Sequence, residues 1–236
     1  MKTTRTKTIH KRINTGHLIV HLALLAGIVV VVFPFLWMLL TSFKTTGESL
    51  KIPPTFFPEK WTLEAYKTIT SSTIPFGTVY LNTILSAVIT TVVQIVFCSM
   101  AGYAFARIEF PFKNFIFVLL LSVLMVPGQI FLLPQYQLIQ KMGLLNTIPA
   151  LFLPNLFSAF GTFLLRQFFM SMPQELEDAA IVDGCNRFQI FGRIMVPLIQ
   201  PGIAALTIFT FKFAWNDFMW PLIVNNSMDK LILGPA

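Results

Sequence analysis

Residues 22–40 read LALLAGIVVVVFPFLWMLL, 19 consecutive positions without a charged side chain. Such a run leaves a soluble helix no polar face, and it approaches the roughly 20 residues that a helix needs to cross about 30 Å of hydrocarbon. Four further apolar segments follow, over residues 79–106, 115–133, 149–169 and 199–224. Helices are the expected form for all five, because every backbone polar group in lipid needs a partner within its own segment. The runs are too continuously apolar for the alternation of a membrane barrel. Composition agrees: 55% of the residues are hydrophobic and 11% charged, against about 25% charged in an average globular domain.

The first run is longer than the 7 to 15 residues of a typical signal-peptide core and is read as an uncleaved span. Orientation follows from the basic residues. Lys2, Arg5, Lys7, Lys11 and Arg12 precede the first span, Arg107 and Lys113 follow the second, and Arg166, Arg187 and Arg193 accompany the fourth and its loop. These alternate segments are expected on the cytoplasmic side, with residues 1–16 as a basic cytoplasmic tail and residues 17–236 as the transmembrane domain. The loop over residues 44–74 is then external. The net charge of +7 is explained by this placement, and no nucleic-acid partner is expected. Cys98 and Cys185 read as ordinary thiols. His10, His17 and His21 read as interfacial residues, and no metal site is expected.

The stretch ELEDAAIVDGCNRF, residues 175–188, holds Glu175, Glu177, Asp178 and Asp183, four of the ten acids in the chain. Ser171 and Gln174 have the spacing of a capping box, Pro173 suits a helix start, and Gly184 suits a stop. A helix over residues 174–183 is predicted, with Leu176, Ala179, Ala180 and Asp183 on one face. Two readings fit it. It is a solvated amphipathic loop helix, its acids favoured by the helix dipole. Or it is a docking helix whose small residues admit a partner's backbone and whose acids meet its cations.

Asp178, Ala179 and Ala180 are followed by three residues, Gly184, nine residues, and then Ile194, one residue, Val196 and Pro197. This spacing resembles the EAA loop of permease subunits of binding-protein-dependent ABC importers. Five other stretches, in order, are similar to the carbohydrate-uptake branch, which includes the smaller maltose-permease subunit. They are FPEKWTLEAYKTI, AGYAFARIEFPFKN, LPQYQLIQKMGLLNT, AFGTFLLRQFF and AWNDFMWPL.

The resemblance implies an all-α type I importer permease core in a bacterial cytoplasmic membrane, with the coupling loop over residues 171–197. It implies coupling to an ATP-binding cassette ATPase through Glu177, Asp178, Ala179, Ala180 and Gly184. A second permease subunit and an extracytoplasmic solute-binding protein are the other implied partners, besides membrane lipid. The chain departs from the family by carrying Asp178 where the motif has Glu. It has five spans where the family has six, so it is expected to be truncated before the sixth. No G-x-x-x-x-G-K-[ST] loop occurs in the sequence; the chain is expected to be no enzyme and to hold no cofactor, ATP being bound by its partners.

Lys212 and Asp217 fall inside the fifth apolar run, where charges face a bundle interior or a watery cavity. Trp215, Asn216 and Asp217 form a candidate substrate pathway, since Asn and Asp bond hydroxyls and Trp covers a sugar ring. The alternative is that Lys212 snorkels while Asn216 and Asp217 hold helices together. At the level of function, two alternatives stand beside the sugar importer: an ion-coupled secondary transporter using Lys212 and Asp217, and a truncated, non-transporting fragment.

Overall fold

The computed structural model describes residues 15–71 and 74–235. No strand occurs among them. The expected basic tail, with Lys2, Arg5, Lys7, Lys11, Arg12 and His10, lies outside the described residues. The chain divides into two units, residues 1–72 and 73–236.

In the first unit, helix α1 (Thr15–Ser42) runs for 28 residues through Pro34 without ending. Its apolar side chains from Ile19 to Leu39 are mostly exposed, as suits a surface for lipid. The following loop is pinned by two buried charges. Lys44 stacks its ammonium 4.9 Å from the Trp37 ring centroid and donates to the Thr55 carbonyl. Glu48 Oε1 accepts from Thr55 Oγ1 and from the backbone N–H of Glu59, both at 2.8 Å. These bonds favour the charged carboxylate, and that of Glu59 N–H most; they hold Glu48 below its usual range. Helix α2 (Glu64–Ser71) follows.

The second unit is organised by α3 (Phe76–Arg107), 32 residues long. The other α-helices of five residues or more are α4 (Lys113–Ser122), α5 (Leu132–Lys141), α6 (Ile148–Phe152), α7 (Ala159–Met170), α8 (Glu175–Val182), α9 (Gln200–Trp215) and α10 (Met219–Val224). Helix α3 packs against α7 and α9. Its buried positions, Thr83, Ala87, Thr90, Thr91, Gln94, Cys98 and Gly102, recur every three or four residues and so form one stripe of small and polar side chains. Leu81, Leu85, Val88, Val92, Val96 and Met100 are exposed. The polarity is thus reversed from that of a soluble helix. In lipid no hydrophobic drive separates the two faces, and close packing by small residues decides which one turns inward.

Two of those contacts leave no room for a side chain. A Cβ on Gly102 would stand 3.0 Å from the backbone nitrogen of Arg166, and one on Gly161 would stand 2.9 Å from Cys98 Sγ. Arginines fasten the same interface in both directions. Arg166 Nε donates to the Phe105 carbonyl at 3.1 Å, and Arg107 Nη2 donates to the Phe169 carbonyl at 2.8 Å.

Among the described residues, two helices, Ile19–Ser42 and Phe76–Arg107, are long and apolar enough to cross a membrane alone. Three bent pairs bring the total to five if each is one span, with bends of 100°, 49° and 77°. Taken so, three of the expected spans have the form of bent pairs, the third bent between Leu198 and Gln200, at the start of the last run. The run over 115–133 breaks beside Pro127, which lacks the N–H to continue the ladder. The run over 149–169 breaks between Asn155 and Ala159. The last run is helical to Trp215, interrupted at Asn216, and resumes at Met219. A second buried cluster, Ile139, Ala150, Leu151, Trp220, Val224 and Ile232, joins these broken ends. There Trp220 Nε1 donates to the Ala150 carbonyl at 2.8 Å.

Candidate functional site

Helix α8 carries the acidic stretch. It starts one residue later and ends one residue earlier than the sequence predicts, and Gly184 terminates it at φ +80°. Cys185 N–H returns to the Ala180 carbonyl at 2.9 Å and Gly184 N–H to that of Ile181 at 3.0 Å, the pair of bonds of a Schellman motif. The expected capping box does not form. Ser171 Oγ instead donates backwards to the Phe168 carbonyl, and the N-cap position, Gln174, makes no side-chain cap. A capping box forms instead at the next short helix, Arg187–Gln189, where Asn186 and Gln189 exchange bonds of 2.9 and 2.8 Å.

The inward face of α8 is Glu177 and Ala180. Leu176, Asp178, Ala179 and Asp183 are exposed, so the predicted common face of Leu176, Ala179, Ala180 and Asp183 is split, with Ala180 alone turned in. Ala180 joins the core formed by Cys98, Tyr103, Leu165, Phe169, Ile190, Met195, Ile199 and Leu206. The segment that follows passes through a π-helical turn, Ile190–Met195, before α9.

Glu177 is only 4% exposed. Its Oε1 lies 3.1 Å from Arg107 Nε, an ion pair that lacks the alignment of a hydrogen bond. Its Oε2 accepts from Tyr103 Oη at 3.3 Å and lies 3.4 Å from Arg187 Nη1. A buried carboxylate needs such compensation. Asp178, beside it, is exposed and available to another molecule. Arg107, Tyr103 and Arg187 were absent from the sequence-based site; the first and last were read only as orientation charges.

The other candidate site is a cleft of about 350 Å³ lined by Gln129, Gln135, Asn155, Phe213, Asp217 and Trp220, among others. Asn155 and Phe213 also line a second cavity of about 370 Å³ with Gln94, Ser158 and Thr210. Gln94 Nε2 donates to the Asn155 carbonyl at 2.8 Å, and Thr210 Oγ1 donates to Gln94 Oε1. The side chains of residues 215–217 have different surroundings. Asp217 lines the cleft, whereas Trp215 packs edge-on to Tyr80 at 5.8 Å and stacks on Phe211 at 5.6 Å. Asn216 Nδ2 donates to the Lys212 carbonyl at 2.7 Å, closing the end of α9.

Residues 98–235 match the family described as the binding-protein-dependent transport system inner membrane component. The arabinooligosaccharides transport system permease protein AraQ of Halalkalibacterium halodurans is 37% identical over 206 residues, covering 86% of this chain and 74% of the relative. The diacetylchitobiose uptake system permease protein NgcG of Streptomyces coelicolor is 36% identical over 216 residues, covering 90% and 70%. The sn-glycerol-3-phosphate transport system permease protein UgpE of Rhizobium meliloti is 33% identical over 227 residues, covering 93% and 80%. A solved bacterial ABC transporter involved in the import of the acidic polysaccharide alginate matches with a TM-score of 0.81 at 21% identity, covering 96% of this chain and 80% of that one. At that identity the likeness is one of fold. More than half of the sequence lies within the matched segment, and the chain belongs to the family of inner membrane components of binding-protein-dependent transport systems, which are multi-pass membrane permeases.

Proposed function

We propose that this chain is one of two permease subunits of an ATP-driven importer of sugars or similarly hydroxyl-rich solutes. The observation that carries the coupling role is the division of labour on α8. Glu177 and Ala180 are turned into the protein, and Leu176, Asp178 and Ala179 are presented outward. A short helix fixed on one side and bearing small, apolar and acidic residues on the other suits a cleft in an ATPase subunit. Gly184 gives that helix its sharp end, and ATP is bound and hydrolysed by the partner.

The cargo class rests on the relatives, whose names specify arabinooligosaccharides, diacetylchitobiose and sn-glycerol-3-phosphate. A solute-binding protein delivers such a solute from outside, and the second permease completes the pathway. Within this chain Asp217 is assigned to the pathway, because it shares its cleft with Gln129, Gln135 and Trp220; carboxylate and amides bond hydroxyls, and an indole covers a pyranose face. Trp215 and Asn216 are assigned to holding the end of α9, beside the pathway.

Co-purification tests the coupling role. The wild-type chain brings down its ATPase, and Asp178→Lys, which reverses the exposed charge, releases it. Recovery of no ATPase with the wild type would sink the reading.

A further inference from the structure

Arg107 ends α3 and reaches three other groups at once. Its Nη2 donates to the Phe169 carbonyl, in the last turn of α7, at 2.8 Å and to the Met172 carbonyl just beyond it. Its Nε faces Glu177 of α8 at 3.1 Å. Tyr103, one turn earlier on α3, donates to the other oxygen of the same carboxylate at 3.3 Å. Beneath this cluster the Tyr103 ring meets Phe169 at 5.5 Å and Phe191 at 5.3 Å. Arg107 thus adds a side-chain donor from α3 to carbonyls at and just beyond the end of α7.

We infer that Arg107 is a positioning residue, a latch that makes α8 move together with the cytoplasmic-side ends of α3 and α7 when the ATPase moves α8. This rests on the reading of α8 as the ATPase-coupling helix. The geometry requires a guanidinium. One planar fork serves two carbonyls and a carboxylate, whereas a lysine ammonium concentrates its donors at a single point on a flexible stem. A carboxylate is required opposite, since a neutral group at Glu177 leaves a nearly buried cation without its counter-charge. Without the latch, displacement of α8 is taken up between α8 and the end of α7, and hydrolysis no longer drives the spans.

The test uses the assembled transporter, with its ATPases, second permease and solute-binding protein, reconstituted into vesicles. Uptake and hydrolysis are measured in parallel. Arg107→Lys and Arg107→Gln are expected to retain ATPase binding and hydrolysis while solute carried per ATP falls about tenfold, within the range by which contacts along a coupling route change linkage. An unchanged ratio in both variants overturns the inference. If either fails to assemble, Tyr103→Phe decides, because it leaves both charges in place. A fall of about twofold then supports the latch, the loss of one hydrogen bond being small, and a wild-type ratio overturns it. Failure of the underlying reading looks different: the wild-type chain itself then assembles with no ATPase.

Discussion

The ring of Phe168 occupies the space in which a side chain on residue 202 would stand: a Cβ on Gly202 would lie 2.6 Å from Phe168 Cδ2. This fixes how closely α9 approaches α7 just after the 77° bend. Gly202→Ala is therefore expected to lower stability by about 1 to 3 kcal/mol, the usual cost of overpacking a filled site. Thermal unfolding of the purified protein in detergent measures it, and Phe168→Leu in the same chain should return part of the loss. An alanine variant as stable as the wild type would show that the ring moves aside freely.

Gly184 poses the opposite case. No atom lies within 4 Å of a Cβ built there, yet its φ is +80°. Gly184→Ala is expected to cost about 1 to 2 kcal/mol from backbone conformation alone, with Gly184→Asn milder. The strain falls on the end of α8, so affinity for the proposed ATPase partner is measured alongside the stability of the chain. Equal affinity for all three residues would contradict a rigid Schellman end.

Glu48 gives the first unit a pH dependence. Its folded-state pKa lies below the unfolded value, held there first by the Glu59 backbone N–H and then, against desolvation, by Thr55 and Lys44. A lowered carboxylate pKa contributes stability that is present above the unfolded value and is lost as pH falls through the folded one. The loop over residues 44–60 should resist proteolysis at neutral pH and open below the ordinary carboxylate range of about 4. Glu48→Gln should abolish that acid-dependent step. A step that persists in the glutamine variant would assign it to another group.

Asp217 and Asn216, although adjacent, are expected to respond differently. At matched membrane expression, Asp217→Ala should reduce uptake severalfold through the cleft, and Asn216→Ala, whose amide closes a helix end, should alter it less than twofold, as for one exposed hydrogen bond. The reverse order of effects would move the pathway to the other side of α9.

Local features were legible and pairings were not. The length of α8, its stop at Gly184 and the all-helical class all follow from spacing and from runs of apolar residues. The environment of Glu177 does not, because its partners Tyr103 and Arg107 lie far earlier in the chain. Periodicity within one helix carries no information about a charge on another. The interior stripe of α3 was partly visible as Thr83, Thr90, Thr91 and Gln94 within an oily run, but averaging hydropathy over a window conceals it. Prolines were equally ambiguous: α1 continues through Pro34, while the chain breaks at Pro127 beside Gly128. The residue is the same, and the packing around it differs.

The reciprocal arginines join two properties usually studied apart. Arg107 and Arg166 are among the charges read from the sequence as orientation signals, and each also ends on a carbonyl of the opposite helix. Arg166 further covers the Phe117 ring at 4.2 Å. A lysine at residue 166 keeps the electrostatic signal for threading but surrenders the planar contact and the aimed donor. Biogenesis and mature architecture therefore become separable in a single substitution: a chain inserted the right way round whose helices, once there, have lost one of their fasteners.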